Sequence, residues 1–234
     1  SRISISQNPK NIGLLANIKK AITDNLDAEF IALSDQDDVW KGNKLALLYE
    51  MAVAHNEECP ILIYHDAEVI DKNGSHLHPS FWKFLGHDHY EHRLETFLFG
   101  NFITGGNSLI NKALARKAKT VPEDLQTLHD AWLGLCAFVF GKVIKIDQQL
   151  NQYRFHGENL AFKKNPSLKK KRRINRNTFL SPEFEMVERF ISTFQGEIPL
   201  EKEKILTEFL TLKKRPYLIK RIKRFQVLHK FKKR

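Results

Sequence analysis

Ile12, Leu14, Leu15, Ile18 and Ile22 recur at helical spacing, which predicts a helix over Asn11–Ile22 with Asn11 as a cap. Glu29–Ser34 follows as a short apolar run that stops abruptly at acidic residues, the pattern of a buried strand. Lys44–His55 reads as a second helix. Ile61–Ile70 reads as a second strand, closed by the turn Asp71-Lys72-Asn73-Gly74. Residues 91–99 read as helix, Gly100–Asn107 as loop, Ser108–Ile110 as strand and Lys112–Lys119 as helix. A strongly apolar helix is expected over 129–140, then two strands, Val143–Ile146 and Asn151–Phe155. Helices over 183–194 and 200–215 complete the pattern, and no internal repeat is evident. Helices alternating with short apolar strands predict an α/β sheet.

A chain of 234 residues with 42% hydrophobic residues and 17 Phe has enough apolar surface for a real core, which excludes a disordered chain. Its formal charge of +11 is unevenly placed. Residues 1–162 hold 16 Lys and Arg against 20 Asp and Glu, whereas residues 163–234 hold 22 against 7. The chain therefore divides into a mildly acidic core, 1–162, and a basic, mainly helical extension, 163–234. Cys59 and Cys136 lie far apart, which argues against a disulfide framework or a cysteine zinc site. No apolar run approaches the ~20 residues of a membrane span. The start, Ser1-Arg2-Ile3-Ser4, has no signal-like apolar stretch and no initiator Met, as expected of a fragment or processed chain.

The chemistry concentrates in Phe30-Ile31-Ala32-Leu33-Ser34-Asp35-Gln36-Asp37-Asp38-Val39-Trp40, where a strand runs into three carboxylates. In an extended backbone Asp35 and Asp37 share a face. Two carboxylates so placed repel unless a cation lies between them, and Mg²⁺ or Mn²⁺ suits oxygen ligands shared with phosphates. Strand carboxyl ends are also where open α/β sheets bind ligands. The plainer alternative is an acidic lead-in to the helix at Lys44, favourable to its dipole.

The stretch Phe30–Leu45 resembles the DxD region of the family 2 glycosyltransferases of GT-A fold, most closely the rhamnosyltransferase-like branch with its Asp-Gln-Asp-Asp followed by Trp and Lys-Leu. Further segments are similar in the family's order over about residues 8–160: Asn11-Ile12-Gly13, then Phe81-Trp82 with Asn101-Phe102-Ile103-Thr104-Gly105, His129-Asp130-Ala131-Trp132, and Tyr153-Arg154-Phe155-His156-Gly157. The resemblance implies a partial GT-A core at 1–162 that begins at the family's third strand. The strand–helix–strand that builds the nucleotide-base pocket has no counterpart in the sequence.

By that resemblance, Asp35, Asp37 and His156 would hold the metal, and Asp38 and Arg154 would face the donor diphosphate. Asp130 would be the general base, and Thr104, Gly105, Gly106, Asn107 and Trp132 would shape the acceptor pocket. Taken residue by residue, each has a plainer alternative: a helix N-cap for Asp130, a surface ion pair for Arg154, a structural histidine for His156 and a turn for Thr104–Asn107.

Histidines 76, 78, 87, 89 and 92 invite a zinc reading, but without a nearby Cys they read as exposed loop residues. In the tail, Leu218, Ile219, Ile222, Phe225, Leu228 and Phe231 form an apolar stripe amid Lys and Arg. Such a helix suits an anionic membrane surface, or packs on the domain through its stripe. A nucleic-acid role has no motif to support it. The expectation is a cytoplasmic, Mg²⁺- or Mn²⁺-dependent inverting transferase, peripheral at the inner face of the plasma membrane. It would move rhamnose or another hexose from a nucleotide diphosphate sugar to a glycan or lipid-linked glycan in bacterial surface polysaccharide synthesis. The alternative is a truncated, non-catalytic relative that binds glycan or a partner.

Overall fold

The computed structural model describes residues 3–55, 58–156, 159 and 180–214. Its centre is a mixed sheet flanked by helices on both faces, an α/β architecture. Helix α1 (Leu14–Thr23) leads into strand β1 (Phe30–Ala32), and β2 (Val39–Trp40) leads into α2 (Lys44–Ala54). Then come β3 (Ile61–Ile70), β4 (His76–His78) and the short helices α3 (Phe81–Leu85) and α4 (Leu94–Phe97). A 3₁₀ turn, Gly105–Asn107, opens β5 (Ser108–Asn111), which runs into α5 (Lys112–Ala118). Helix α6 (His129–Phe140) and β6 (Lys142–Arg154) follow, then α7 (Ser181–Thr193) and α8 (Leu200–Thr211).

The strands are ordered β1-β5-β3-β6-β2, with β4 on the far part of β3. Strand β5 is antiparallel to both β1 and β3, so β1 and β3 run alike, and β6 is parallel to β3. The exit of β1 and the entry of β5 therefore share one edge of the sheet.

Alternation along β3 divides the core. Leu62 and Tyr64 join Ile110 and the residues of α1, α5 and α6 on one face. Ile61 and Ile63 meet Leu48 and Ala52 of α2 on the other. Phe184, Val187, Phe190, Leu206 and Phe209 of α7 and α8 belong to the first cluster. The Trp132 ring of α6 lies 5.3 Å from that of Phe190. The described part of the basic extension thus shares the core of the sheet. The basic run before it and the amphipathic stretch 218–231 lie outside the described residues. Among the described residues no helix is long and apolar enough to cross a membrane.

Three expectations are corrected. The two strands expected over 143–155 are one, β6, whose pairing with β3 shifts register around Asp66. Exposed Asp147 and Gln148 sit at that irregularity and break the apolar pattern without ending the strand. The helix expected over 91–99 is only the four residues of α4. It is held by Phe97, whose ring lies 5.4 Å from Phe102 and 5.1 Å from Phe138. His87, His89 and His92 are not exposed loop residues. They are half-buried among aromatic rings, His87 stacked 4.8 Å from Tyr90 and His92 hydrogen-bonded to the Tyr64 hydroxyl.

Helix α6 turns into β6 at Gly141, where a Cβ would overlap the backbone carbonyl of Pro60. That carbonyl accepts the Lys142 amide at 2.9 Å, so the chains cannot separate without losing the first rung of the β3–β6 pair. Gly141→Ala is expected to destabilise the fold by about 3 kcal/mol through overpacking. Urea unfolding checks it: an unchanged midpoint would refute the close-approach argument.

Candidate functional site

Strand β1 ends at Ala32, and the acidic segment leaves it as a loop with a turn at Gln36-Asp37. Asp35 and Asp37 accordingly do not share one pleated face, as an extended backbone would have them do. The turn sends Asp35, Asp37 and Asp38 to different partners.

Asp35 points toward the 3₁₀ turn. A Cβ on Gly106 would lie 2.7 Å from its Oδ2, so the carboxylate rests where only glycine leaves room. Desolvation raises its pKa, opposed first by the nearby His129. Asp37 turns outward to His156, with Oδ2 at 2.8 Å from Nε2. Both side chains keep solvent access, 26% and 38% exposed respectively. Asp38 turns inward. Its Oδ1 accepts the Arg154 amide at 3.1 Å and its Oδ2 accepts Asn151 Nδ2 at 3.1 Å. Burial pushes Asp38 up to about 6, and the neighbouring Asp35 and Asp37 add to the rise.

The closing segment after β6 is cross-braced. The Asn159 side chain accepts the His156 amide at 2.7 Å and donates to the Arg154 carbonyl at 2.9 Å. The Arg154 guanidinium donates to main-chain carbonyls of Asp37 at 2.9 Å, and of Asp71 and Lys72 at 3.2 Å each. Arg154 thereby ties the acidic loop to the β3–β4 turn.

Asp130 lies in the first turn of α6 at 6% exposure. Its Oδ1 accepts Asn101 Nδ2 at 2.9 Å and the Ala131 amide at 2.8 Å. Desolvation raises its pKa, while His129 and the amides of Ala131 and Gly105 oppose the rise. Asn101 also accepts the Ile103 amide at 2.9 Å, so one asparagine fixes the loop ahead of the glycines to the carboxylate.

The sequence-predicted residues Asp35, Asp37, Asp38, Arg154, His156, Gly105, Gly106, Asn107 and Asp130 thus gather around one edge of the sheet, but their placement corrects several roles. Trp132 has no exposed surface and packs against Phe190 and Phe194, so it cannot touch an acceptor here. Gly105, Gly106 and Asn107 are buried and support the acidic loop from beneath, leaving half-buried Thr104 as the more accessible part of that loop. Both oxygens of Asp38 are occupied by protein donors, and Arg154 is engaged by carbonyls. Asp38 is thereby turned toward protein donors, and Nε and Nη1 of Arg154 are committed to the loop scaffold.

Four contributors carry no role in the sequence reading. Asn101 and Asn151 are uncharged and blend into their motifs. His129 packs against Gly105, where a Cβ would strike its ring. Lys44, fully buried, donates to the Gly106 carbonyl at 2.7 Å. The available signal for Lys44 is its place in the first turn of α2, where a cation opposes the helix dipole.

Asp37 and His156 fit a divalent cation chemically. They are an accessible oxygen and nitrogen donor already within ligand-sharing distance. Mn²⁺ accepts both donor types, and ions of this class need only one or two protein carboxylates when substrate phosphates complete the shell. Among the described residues no three or more His, Cys, Asp or Glu form a ready-made cage. No protein-family model matches the sequence, and no curated protein is a significant match.

Asp38 carries a pH signature. The folded chain holds its proton more tightly than the unfolded chain does. The carboxyl therefore favours folding fully below pH 3.8, and that advantage is gone above about pH 6. Relative to the parent protein, Asp38→Asn should gain thermal stability as pH rises from 4 to 7 without divalent ions. A difference in unfolding midpoint that stays constant across that range would show that Asp38 is not desolvated as described.

Proposed function

We propose that the chain is a glycosyltransferase-like catalytic core of GT-A type that uses a divalent cation to act on a nucleotide diphosphate sugar. The observation that carries this reading is the Asp37–His156 pair, 2.8 Å apart and open to solvent at the carboxyl end of β1. It is supported by the convergence of Asp130 and the Gly105–Asn107 turn on the same edge, and by the order of the motifs along the sequence.

Mn²⁺ or Mg²⁺, when bound, neutralises charge on a leaving diphosphate. Asp37 and His156 would hold it. Asp35 lies close enough to add negative potential without serving as a donor in this arrangement. Asp38, Asn151 and Arg154 keep the loop in the shape that exposes Asp37. Asp130, with its pKa raised by burial, is the general base that takes a proton from an acceptor hydroxyl, a role that raised basicity favours near neutral pH. Thr104, at the mouth of the glycine turn, borders the acceptor side. The acceptor class is a glycan or lipid-linked glycan, and a membrane-surface tail within 213–234 would suit the latter.

A second reading has its own observation. Asp130 is nearly enclosed and joins Asn101 to the start of α6, as a structural strut would. The chain would then be a transferase-like binder of glycan or of a partner protein.

Titration calorimetry with Mn²⁺ and a panel of nucleotide diphosphate sugars separates the readings. The transferase reading expects at least one donor to bind in a Mn²⁺-dependent way, with Asp37→Asn weakening the Mn²⁺ step at least tenfold. No binding of any donor with Mn²⁺ present would contradict it. With a cognate donor and acceptor, Asp130→Asn should lower turnover by about 10²-fold or more while the unfolding midpoint holds, because Asn preserves the strut but not the base. Full turnover in that variant would leave Asp130 purely structural.

A further inference from the structure

Lys44 opens α2 and is fully buried. Both facts oppose its charge: helix N-termini disfavour cations, and an ammonium removed from water loses its hydration. Something local must offset them. Its Nζ lies 4.1 Å from the centre of the Trp40 ring and 2.7 Å from the Gly106 carbonyl oxygen. Asp38 and Asp35 are the charges that favour its protonated form. Burial holds His65, on β3, well below its ordinary range, and the Lys44 charge adds to that lowering. Lys44 remains cationic at neutral pH, with burial lowering it to about 8. One side chain thus touches the ring that ends the acidic segment and the turn that leads into β5.

We propose that Lys44 is a positioning residue, a buried cationic pin that fastens the Gly105–Asn107 turn to the Asp35–Trp40 segment and so holds Asp37 outward. The geometry favours a pin over a filler. Asp35 rests on Gly106 from the solvent side while Lys44 binds the carbonyl of the same residue from within. Gly106 is clamped between opposite charges, and no apolar side chain reproduces the inner half of that clamp. Asn107, the next residue, accepts Asn151 Nδ2 at 2.8 Å, and the same Asn151 holds Asp38. Releasing Gly106 therefore loosens both ends of the acidic segment. The consequence for cation binding rests on the function proposed above; the pin itself does not.

The test compares Lys44→Met, Lys44→Arg and Leu48→Ala in the whole chain. Leu48 is fully buried one turn along α2 and packs in the opposite-face core, so its truncation reports general destabilisation. Amide hydrogen exchange at Asn107, read as a ratio to Ile63 in β3, reports the turn, and Mn²⁺ titration reports the site. Lys44→Met is expected to raise the exchange ratio at least tenfold and to weaken Mn²⁺ at least tenfold. Lys44→Arg should keep both within about threefold of the parent wherever it folds, and Leu48→Ala should leave the ratio unchanged. An unchanged ratio in Lys44→Met, or an equal rise in Leu48→Ala, overturns the proposal. If the parent chain takes up no Mn²⁺, the cation reading fails by itself, and the exchange ratio still decides whether Lys44 is the pin.

Discussion

Three carboxylates follow one another within four residues at the end of β1, and nothing in the backbone alone would hold them together. They are reconciled by being turned apart. Asp38 goes to Asn151 and the Arg154 amide, exposed Asp35 lies against Gly106, and half-buried Asp37 goes to His156. Beneath them the Lys44 ammonium supplies a fixed opposite charge in a place where water cannot. The turn into β5, the start of α2 and the end of β6 all meet at this charge arrangement. Each element carries at least one residue whose conformation makes sense only with the others in place: Gly106 in the turn, Lys44 on α2, Asn151 on β6.

The sheet supplies the frame. Parallel β1 and β3 with antiparallel β5 between them bring the exit of one strand and the entry of the next to the same edge. The first turn of α6 delivers Asp130 there, linked through Asn101 to the loop that ends in the glycines. Helix α7 presses on α6 through Trp132 and Phe190, so this strongly apolar helix is fixed from its far side. On the opposite face α2 buries Leu48 and Ala52 yet leaves Leu45, Tyr49 and Val53 largely uncovered.

Much of the fold was legible because its signals are local. The helical spacing of α1, the β-branched and aromatic residues of β3 and the turn at Asp71–Gly74 need no tertiary information. The continuity of β6 was hidden because Asp147 and Gln148 sit at a register shift, and periodicity cannot distinguish a bulge from a strand end. The gathering of the site residues followed from their motifs. Their individual directions did not, since Asp38 and Asp37 are chemically alike and only the turn at Gln36-Asp37 decides which meets His156 and which meets Asn151. Trp132 was misread for a related reason: an aromatic beside a candidate base looks like a ligand platform until Phe190, nearly sixty residues on, is seen to cover it. Lys44 was overlooked because a lysine opening a helix reads as surface until burial is known.

The function proposed above puts a divalent cation on Asp37 and His156, with Asp38 and Lys44 building the loop that presents them. Anomalous diffraction from crystals of the protein soaked with Mn²⁺ and a nucleotide diphosphate tests it most directly. The account predicts a manganese peak bonded to Asp37 Oδ2 and His156 Nε2, with Asp38 still facing Asn151. A peak ligated by Asp38, or manganese bound away from this edge of the sheet, would contradict it.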